Sequence, residues 1–254
     1  MKTGILRING NGRKKITATV TDEIPLTLEL DGKELLTLLC SPGDTKELSV
    51  GFLYSSGIIK SMDDIRKIVI DRRNKTSFIE LREKYSYGDL PFKRMYSSGC
   101  GRGIIFYNVL DKVPRGKVKS GFKISAGKIT EIMSMFEKKS SAFRETGGVH
   151  SAGLSDGKKI LVFKEDIGRH NAVDKAVGGA LMKELNFGNM FMLTSGRISS
   201  EIMFKLGRTG IPLVVSRGAP TDQAVKLAKE LNLTLAGFVR GKRMNIYSSG
   251  GRIV

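Results

Sequence analysis

The sequence has no tryptophan and only two cysteines and two histidines among its 254 residues. Cys40 and Cys100 are too far apart to suggest a disulfide framework, and with His150 and His170 they do not form a recognisable zinc motif. No apolar run reaches the length of a membrane span, and the first residues lack the apolar core of a secretory signal. We therefore expect a cytoplasmic protein that binds no metal of its own and no membrane.

Negative charge is scarce: the sequence has 25 Asp and Glu but 43 Lys and Arg, which gives a net charge of +18. Such a field attracts phosphates on nucleic acid, on a nucleotide cofactor or on another anionic partner. The basic residues are spread along the chain, aromatic residues make up 7%, and no nucleic-acid-binding signature is present. We predict no nucleic-acid partner, although a basic nucleic-acid module and a merely solvated basic surface stay open as alternatives.

The first part of the chain reads as a small α+β domain. Alternating segments predict strands at "KITATVTD" and two more within 64–83, and "PLTLELDGKELLTLLC" predicts a hairpin that turns at Asp31 and Gly32. A helix is expected to start after Pro42. The pattern then loosens, and we place the domain boundary so that residues 1–120 form the N-terminal domain, which ends in the Cys100 loop and a linker.

Residues 121–254 show a different pattern, typical of an α/β domain. A helix is predicted at "SAGKITEIMSMFEKKSS", and later helices near 171–185, 199–208 and 221–231 alternate with short apolar strands. The strands are "GVHSAGL", "KILVFKE", "MFMLTSG", "IPLVVSR" and "TLAGFVR". This alternation predicts a mainly parallel sheet with helices on its faces.

Arginines follow four successive strands of this predicted sheet. In such a sheet the ligand lies at the carboxyl ends of the strands, where guanidinium groups and helix N-termini bind phosphate oxygens. A phosphorylated ligand is therefore expected, although no P-loop or dinucleotide fingerprint is present. The alternative is that Arg169 pairs with Glu165 or Asp166 and that the others are solvated. The candidate residues are Arg169, His170, Ser195, Arg197, Ser216, Arg217, Arg240 and Arg243.

The two histidines differ in their expected roles. His150 lies on a predicted strand and is either a core residue or a site residue. His170 lies at a strand end, where ligand binding and proton transfer are both possible roles. A hydrolase triad of Asp166, His170 and Ser195 is disfavoured because Ser195 lacks a nucleophile-elbow context.

The two cysteines also differ. Cys40 ends the apolar run "LLTLLC", which predicts burial. Cys100 lies in "SSGCGRG" between Arg94 and Arg102, and exposure beside positive charge lowers a thiol pKa. We therefore expect Cys100 to be a competent nucleophile, with simple turn formation as the alternative role for its glycines.

Several motifs together resemble the formate dehydrogenase accessory protein family, the FdhD-type sulfurtransferases (FdhD/NarQ). They are "TGGVHSA", "FKEDIGRHNAVDKAVG" and "TSGRISSEIMFKLGRTGIPLVVSRGAPTD", and the resemblance runs from about residue 20 to 252. It implies a small N-terminal α+β domain and a C-terminal three-layer α/β domain with a cytidine-deaminase-like fold that has lost deaminase chemistry.

The resemblance also implies a function, namely transfer of persulfide sulfur from a cysteine desulfurase to the bis-molybdopterin guanine dinucleotide cofactor of formate dehydrogenase. Cys100 matches the persulfide-bearing cysteine, although many members have two cysteines two residues apart in this loop. A homodimer is expected, and a guanine nucleotide such as GDP would occupy the cofactor site. The alternative is a chaperone that delivers the cofactor without transferring sulfur. The matching cofactor-binding residues are Phe238, Val239, Arg240, Gly241, Lys242, Arg243 and Asn245.

Overall fold

The computed structural model of the chain describes residues 1–10, 12–85, 117–248 and 251–254. Cys100, its loop and most of the expected linker between the two domains lie outside the described residues. The domain boundary expected at residue 120 therefore stays a prediction.

The chain begins with an antiparallel hairpin of two largely exposed strands, β1 (Lys2–Asn9) and β2 (Gly12–Thr19). The alternation in residues 15–22 predicted β2. It did not predict β1, whose glycine and charged residues weaken the strand pattern. These two strands form a sheet of their own.

A four-stranded sheet and one helix follow, with the strand order β4-β3-β6-β5. Asp31 and Gly32 join the first two strands with φ angles of 49° and 80°, the left-handed geometry that a tight hairpin turn needs. This confirms the hairpin predicted from that dipeptide. The elements are β3 (Ile24–Leu30), β4 (Lys33–Cys40), α1 (Thr45–Ser55), β5 (Ile65–Asp71) and β6 (Thr76–Leu81).

The second half of the chain builds a six-stranded sheet with the order β12-β11-β10-β9-β7-β8. Its strands are β7 (His150–Ser155), β8 (Ile160–Asp166), β9 (Phe191–Thr194), β10 (Leu213–Ser216), β11 (Thr234–Arg240) and β12 (Arg243–Ser248). The helices are α2 (Ala126–Lys139), α3 (Ser141–Thr146), α4 (Arg169–Leu181), α5 (Ser200–Thr209) and α6 (Asp222–Glu230).

Helices cover both faces of this sheet. Ile132 and Phe136 of α2 pack with Phe191 and other residues of one face, whereas α4 and α5 pack with Met192 and its neighbours on the other. The alternation of Phe191 and Met192 between the two cores is what a strand buried on both faces requires. The mixed α+β and α/β class expected from the sequence is confirmed, with three layers in the second half.

The sheet is less parallel than the sequence suggested. Only the β9–β10 and β10–β11 pairs are parallel, because β7 runs antiparallel to both β8 and β9, and β12 runs antiparallel to β11. Short turns join β7 to β8 and β11 to β12, and a parallel connection would need a long crossover. Even so, β8, β9, β10 and β11 all point the same way, so their carboxyl ends share one edge.

Two glycines bring the two halves of the chain into contact. A methyl group on Gly51 of α1 would lie 1.8 Å from the backbone oxygen of Asp174 in α4, and one on Gly178 would lie 2.0 Å from the oxygen of Glu47. The backbones of α1 and α4 therefore touch, which leaves no room for a side chain at either position.

Candidate functional site

The candidate site, which we call the rim, lies at the edge of the six-stranded sheet where β8, β9, β10 and β11 end. His150, at the start of the reversed strand β7, lies at the same edge. The other rim residues are Arg169 and His170, Ser195 to Arg197, Ser216 and Arg217, and Phe238 to Arg243.

Glycines allow neighbouring rim loops to touch. A methyl group on Gly218 would lie 2.9 Å from the carbonyl oxygen of Gly196, and one on Gly237 would lie 3.1 Å from that of Gly218. One on Gly196 would lie 3.0 Å from Cβ of Arg169 and 3.4 Å from Nδ1 of His150. The structure thus brings together the loops that the sequence placed at one edge.

The two rim serines hold these loops in place. The Ser216 hydroxyl donates to the Gly196 carbonyl oxygen at 2.6 Å and accepts from the Gly218 amide at 2.9 Å. Ser195 Oγ accepts from the Ser151 amide at 3.0 Å. Both hydroxyls, which the sequence suggested as ligand contacts, are therefore already bonded to backbone groups and order the rim.

Phe238 has an unusual backbone conformation. Its φ is 53°, in the left-handed region that a bulky residue rarely adopts, and its side chain is 38% exposed. A register shift between Gly237 and Arg240 accommodates it, and its amide donates to the Gly218 oxygen at 3.1 Å. Strain of this kind concentrates at functional sites. Here it presents an aromatic ring at the rim.

Three cations follow Phe238 within five residues. Arg240 and Arg243 are directly opposite each other across the turn between β11 and β12, and Lys242 lies between them; all three are exposed. Like charges in this arrangement repel, so an anion bound over the turn would be stabilising. The side chain of Val239 is fully buried in the core on the α2 side, whereas Asn245 is exposed on β12.

The two middle arginines of the rim have different surroundings. Arg217 pairs with Glu137 of α2 at 2.9 Å, in an ion pair whose two side chains are 44% and 35% exposed. Solvent weakens such a pair, so a phosphate could compete for the guanidinium group. Arg197 is exposed and follows β9, the parallel neighbour of β10, after which Arg217 comes.

Glu201, which the sequence did not single out, contacts His170. Nδ1 of His170 lies 3.0 Å from Oε1 of Glu201 in the first turn of α5, and both side chains are mostly buried. Burial opposes ionisation of Glu201, but the hydrogen bond and charge of His170, with Lys205 and Arg169, lower its pKa. Only the spatial neighbour identifies Glu201, since its sequence position is that of an ordinary helix-start carboxylate.

The pKa of His150 is affected by the positive charges of the rim. Burial lowers its pKa, and the charges of Arg169, His170 and Arg197 lower it further, while Asp166 opposes them. Its Nδ1 lies 3.4 Å from Ser195 Oγ. His150 is therefore a largely buried rim residue whose pKa is held below its usual value.

Asp166 neither pairs with Arg169 nor joins a hydrolase triad, the two roles considered for it from the sequence. It is fully buried and pairs with Lys175 at 2.6 Å, and it accepts from the Ser41 amide at 3.0 Å. The structure thus does not assemble the disfavoured triad, because Asp166 binds Lys175 while His170 contacts Glu201. The ion pair instead joins the end of β8 to the middle of α4 behind the rim, and the hydrogen bond from the Ser41 amide ties the chain just after β4 to the same carboxylate.

The two cysteines can be compared only in part, since Cys100 lies outside the described residues. Cys40 is fully buried, as predicted, and burial followed by the charge of Asp166 raises its pKa to about 12. No group of three or more His, Cys, Asp or Glu suited to a metal occurs in the described residues. Among those residues there is also no helix long and apolar enough to span a membrane.

The fold and the rim define a mixed α/β protein with a candidate anion-binding site at the end of its larger sheet. The model of the FdhD/NarQ family matches residues 21–254, and the chain belongs to this family. This confirms the resemblance seen in the motifs.

Curated relatives and a solved structure agree with this assignment. The chain is 39% identical over 238 residues to the sulfur carrier protein FdhD of Bacillus pumilus, covering 93% of this chain and 91% of the relative. It is 37% identical over 240 residues to that of Bacillus subtilis, covering 94% and 92%. A crystal structure assigned to a formate dehydrogenase accessory protein from Desulfotalea psychrophila matches with a TM-score of 0.83 and 25% identity, covering 100% of this chain and 99% of that one.

Proposed function

We propose that this protein is a sulfur carrier for formate dehydrogenase, which receives sulfur as a persulfide and passes it to the bis-molybdopterin guanine dinucleotide cofactor. The names of its relatives support the carrier role and the client enzyme. The observation that carries the proposal is the turn from Phe238 to Arg243, which combines an exposed aromatic ring with three cations.

The rim fits a guanine dinucleotide in its chemistry. An exposed Phe238 ring can stack on a purine, and Arg240 and Arg243 can bind pyrophosphate oxygens as bidentate donors. Arg169, Arg197 and, once released from Glu137, Arg217 extend the positive surface toward further phosphates. A GDP molecule carries the same base and diphosphate and should occupy the same site.

Cys100 supplies the chemistry in this proposal. Its thiolate attacks the outer sulfur of a persulfide on a cysteine desulfurase, the donor S–S bond breaks, and the donor cysteine leaves as a thiolate. Transfer to the client cofactor then breaks the new S–S bond and returns Cys100 as a thiolate, with the two electrons that reduce the sulfur to sulfide coming from the receiving metal centre. The protein is in this sense a sulfurtransferase. Arg94 and Arg102 are close to Cys100 in the sequence, and positive charge near a thiol would favour its thiolate.

The cellular setting completes the proposal. A carrier of this kind works where the desulfurase and the unfinished client are found, which for a protein with free thiols is the cytoplasm. A homodimer, as expected from the family resemblance, would present two rims to the client cofactor.

Calorimetric titration with GDP tests the rim assignment. We expect the wild type to bind GDP and the Arg240→Ala, Arg243→Ala double variant to bind at least tenfold more weakly, because each lost charged hydrogen bond is worth about 1.5–3 kcal/mol. The matched control replaces Arg72 and Arg73, exposed arginines of the β5–β6 turn, and should bind as the wild type does. Equal binding by the rim variant would refute the assignment.

The chaperone alternative makes a different prediction. Cys100 is the one cysteine of its loop in the sequence, so a carrier mechanism with a second loop thiol is not available to this chain. GDP binding without any persulfide on Cys100 would favour the chaperone over the carrier.

A further inference from the structure

The β1–β2 hairpin is chemically unlike the rest of the chain. It contains five basic residues and no acidic one, and most of its positions are exposed. The family match starts at residue 21, after the hairpin, so the hairpin lies outside the matched region. Its basic residues are Lys2, Arg7, Arg13, Lys14 and Lys15.

The base of the hairpin is fixed to the body of the protein. The amino group of Met1 donates to the Val20 oxygen at 2.9 Å, and Thr19 Oγ1 donates to Glu145 at 2.8 Å. Thr21 and Thr146 are joined by a further hydrogen bond of 2.8 Å. Each strand has eight residues, so a strand of this length spans about 26 Å from that anchored base.

One face of the hairpin mixes apolar and basic side chains. Leu6 is opposite Lys15 and Ile8 is opposite Arg13, and Leu6 and Ile8 are 53% and 64% exposed. In the described part of the chain neither outer edge of this two-stranded sheet pairs with another strand. Among the described residues, the hairpin therefore offers two open strand edges beside exposed apolar side chains and positive charge.

We propose that the hairpin docks an extended acidic segment of a partner protein, which adds as a third strand along one open edge. Backbone hydrogen bonds would satisfy the edge, apolar side chains of the segment would cover Leu6 and Ile8, and its carboxylates would pair with Arg13 and Lys15. This inference does not depend on the sulfur-carrier proposal.

Charge and chemistry favour this occupant over the others. A second hairpin from another copy of the chain would bring five like charges against five, which is repulsive. Nucleic acid would need no exposed leucine or isoleucine, and the hairpin has no aromatic residue on which bases could stack. A bilayer cannot satisfy the open backbone edge, whereas a peptide strand can.

The test uses a fluorescein-labelled peptide of about ten residues in which every second position is glutamate or valine in turn and the positions between them are threonine, so that acidic and apolar side chains share one face of the strand. Its binding to the full-length protein is measured by fluorescence anisotropy at physiological salt. The comparison probes are a lysine–valine peptide of equal length, single-stranded DNA, and vesicles of anionic lipid. We expect the acidic peptide to bind more tightly than any of the three.

Two double variants distinguish docking on the hairpin from nonspecific electrostatic attraction to the positively charged protein. Arg13→Glu with Lys15→Glu should weaken binding by about tenfold or more, and Leu6→Ser with Ile8→Ser should also weaken it. Arg72→Glu with Arg73→Glu changes the net charge equally and should have little effect. Circular dichroism confirms that each variant folds. No binding of the acidic peptide, an equal loss in the Arg72 and Arg73 control, or tighter binding of DNA or vesicles would overturn the proposal.

Discussion

The left-handed conformation of Phe238 leads to a prediction that separates the cost of backbone strain from the contribution of the aromatic ring to binding. A non-glycine residue in this region costs about 1–2 kcal/mol, and the ring is 38% exposed, so it contributes only part of its area to the core. Phe238→Ala removes the ring and keeps the strained backbone, whereas Phe238→Gly removes both. We expect the glycine variant to be about 1 kcal/mol more stable than the alanine variant.

For a chain of this size that difference corresponds to about 2–4 °C in Tm, which scanning calorimetry and urea unfolding can resolve. Both variants should bind GDP more weakly, because stacking of one base on an aromatic ring is worth about 1–3 kcal/mol. Calorimetric titration provides the affinities. Binding of GDP at wild-type strength by either variant, or equal stability of the two, would refute the view that strain at Phe238 serves ligand binding.

Three further predictions concern the buried parts of the molecule. Lys175→Met leaves the Asp166 carboxylate buried without its cation, so the free energy of unfolding measured in urea should fall by about 3–5 kcal/mol. The fall should be smaller in the double variant that also has Asp166→Asn; a small fall in the single variant would contradict this. Gly51→Ala puts a methyl group 1.8 Å from a backbone oxygen of α4, so it should lower the Tm and reduce the stability by at least about 1–3 kcal/mol. The control Gly127→Ala adds a methyl group that faces open space and should not lower the Tm. With a pKa of about 12, roughly one Cys40 thiol in ten thousand is ionised at pH 8, so iodoacetamide should reach it only after unfolding; rapid labelling in the native protein would contradict its burial.

The location of the rim could be predicted because strand ends can be read from local pattern. Ser195, Arg197, Ser216 and Arg217 each follow a short apolar strand, and strands of one direction end at one edge of a sheet. The hairpin at Asp31 and Gly32 was equally predictable, since its dipeptide has a specific turn geometry.

The direction of strands and the contacts of individual side chains were harder to predict. The apolar pattern of β7 is the same whichever way the strand runs, so its reversal beside β9 could not be read from periodicity. Nor does sequence show that Lys175 would be fully buried against Asp166, because lysine is usually exposed unless it is paired. The positive φ of Phe238 likewise depends on the bulge and on the neighbouring loop at Gly218.

The most direct test of the carrier proposal is to incubate the protein with a cysteine desulfurase and cysteine and to locate added sulfur by mass spectrometry of peptides. We predict one extra sulfur atom on Cys100 in the wild type and in Cys40→Ala, and none in Cys100→Ala. Absence of sulfur from Cys100 in the wild type, or persistence of the label in Cys100→Ala, would contradict the account.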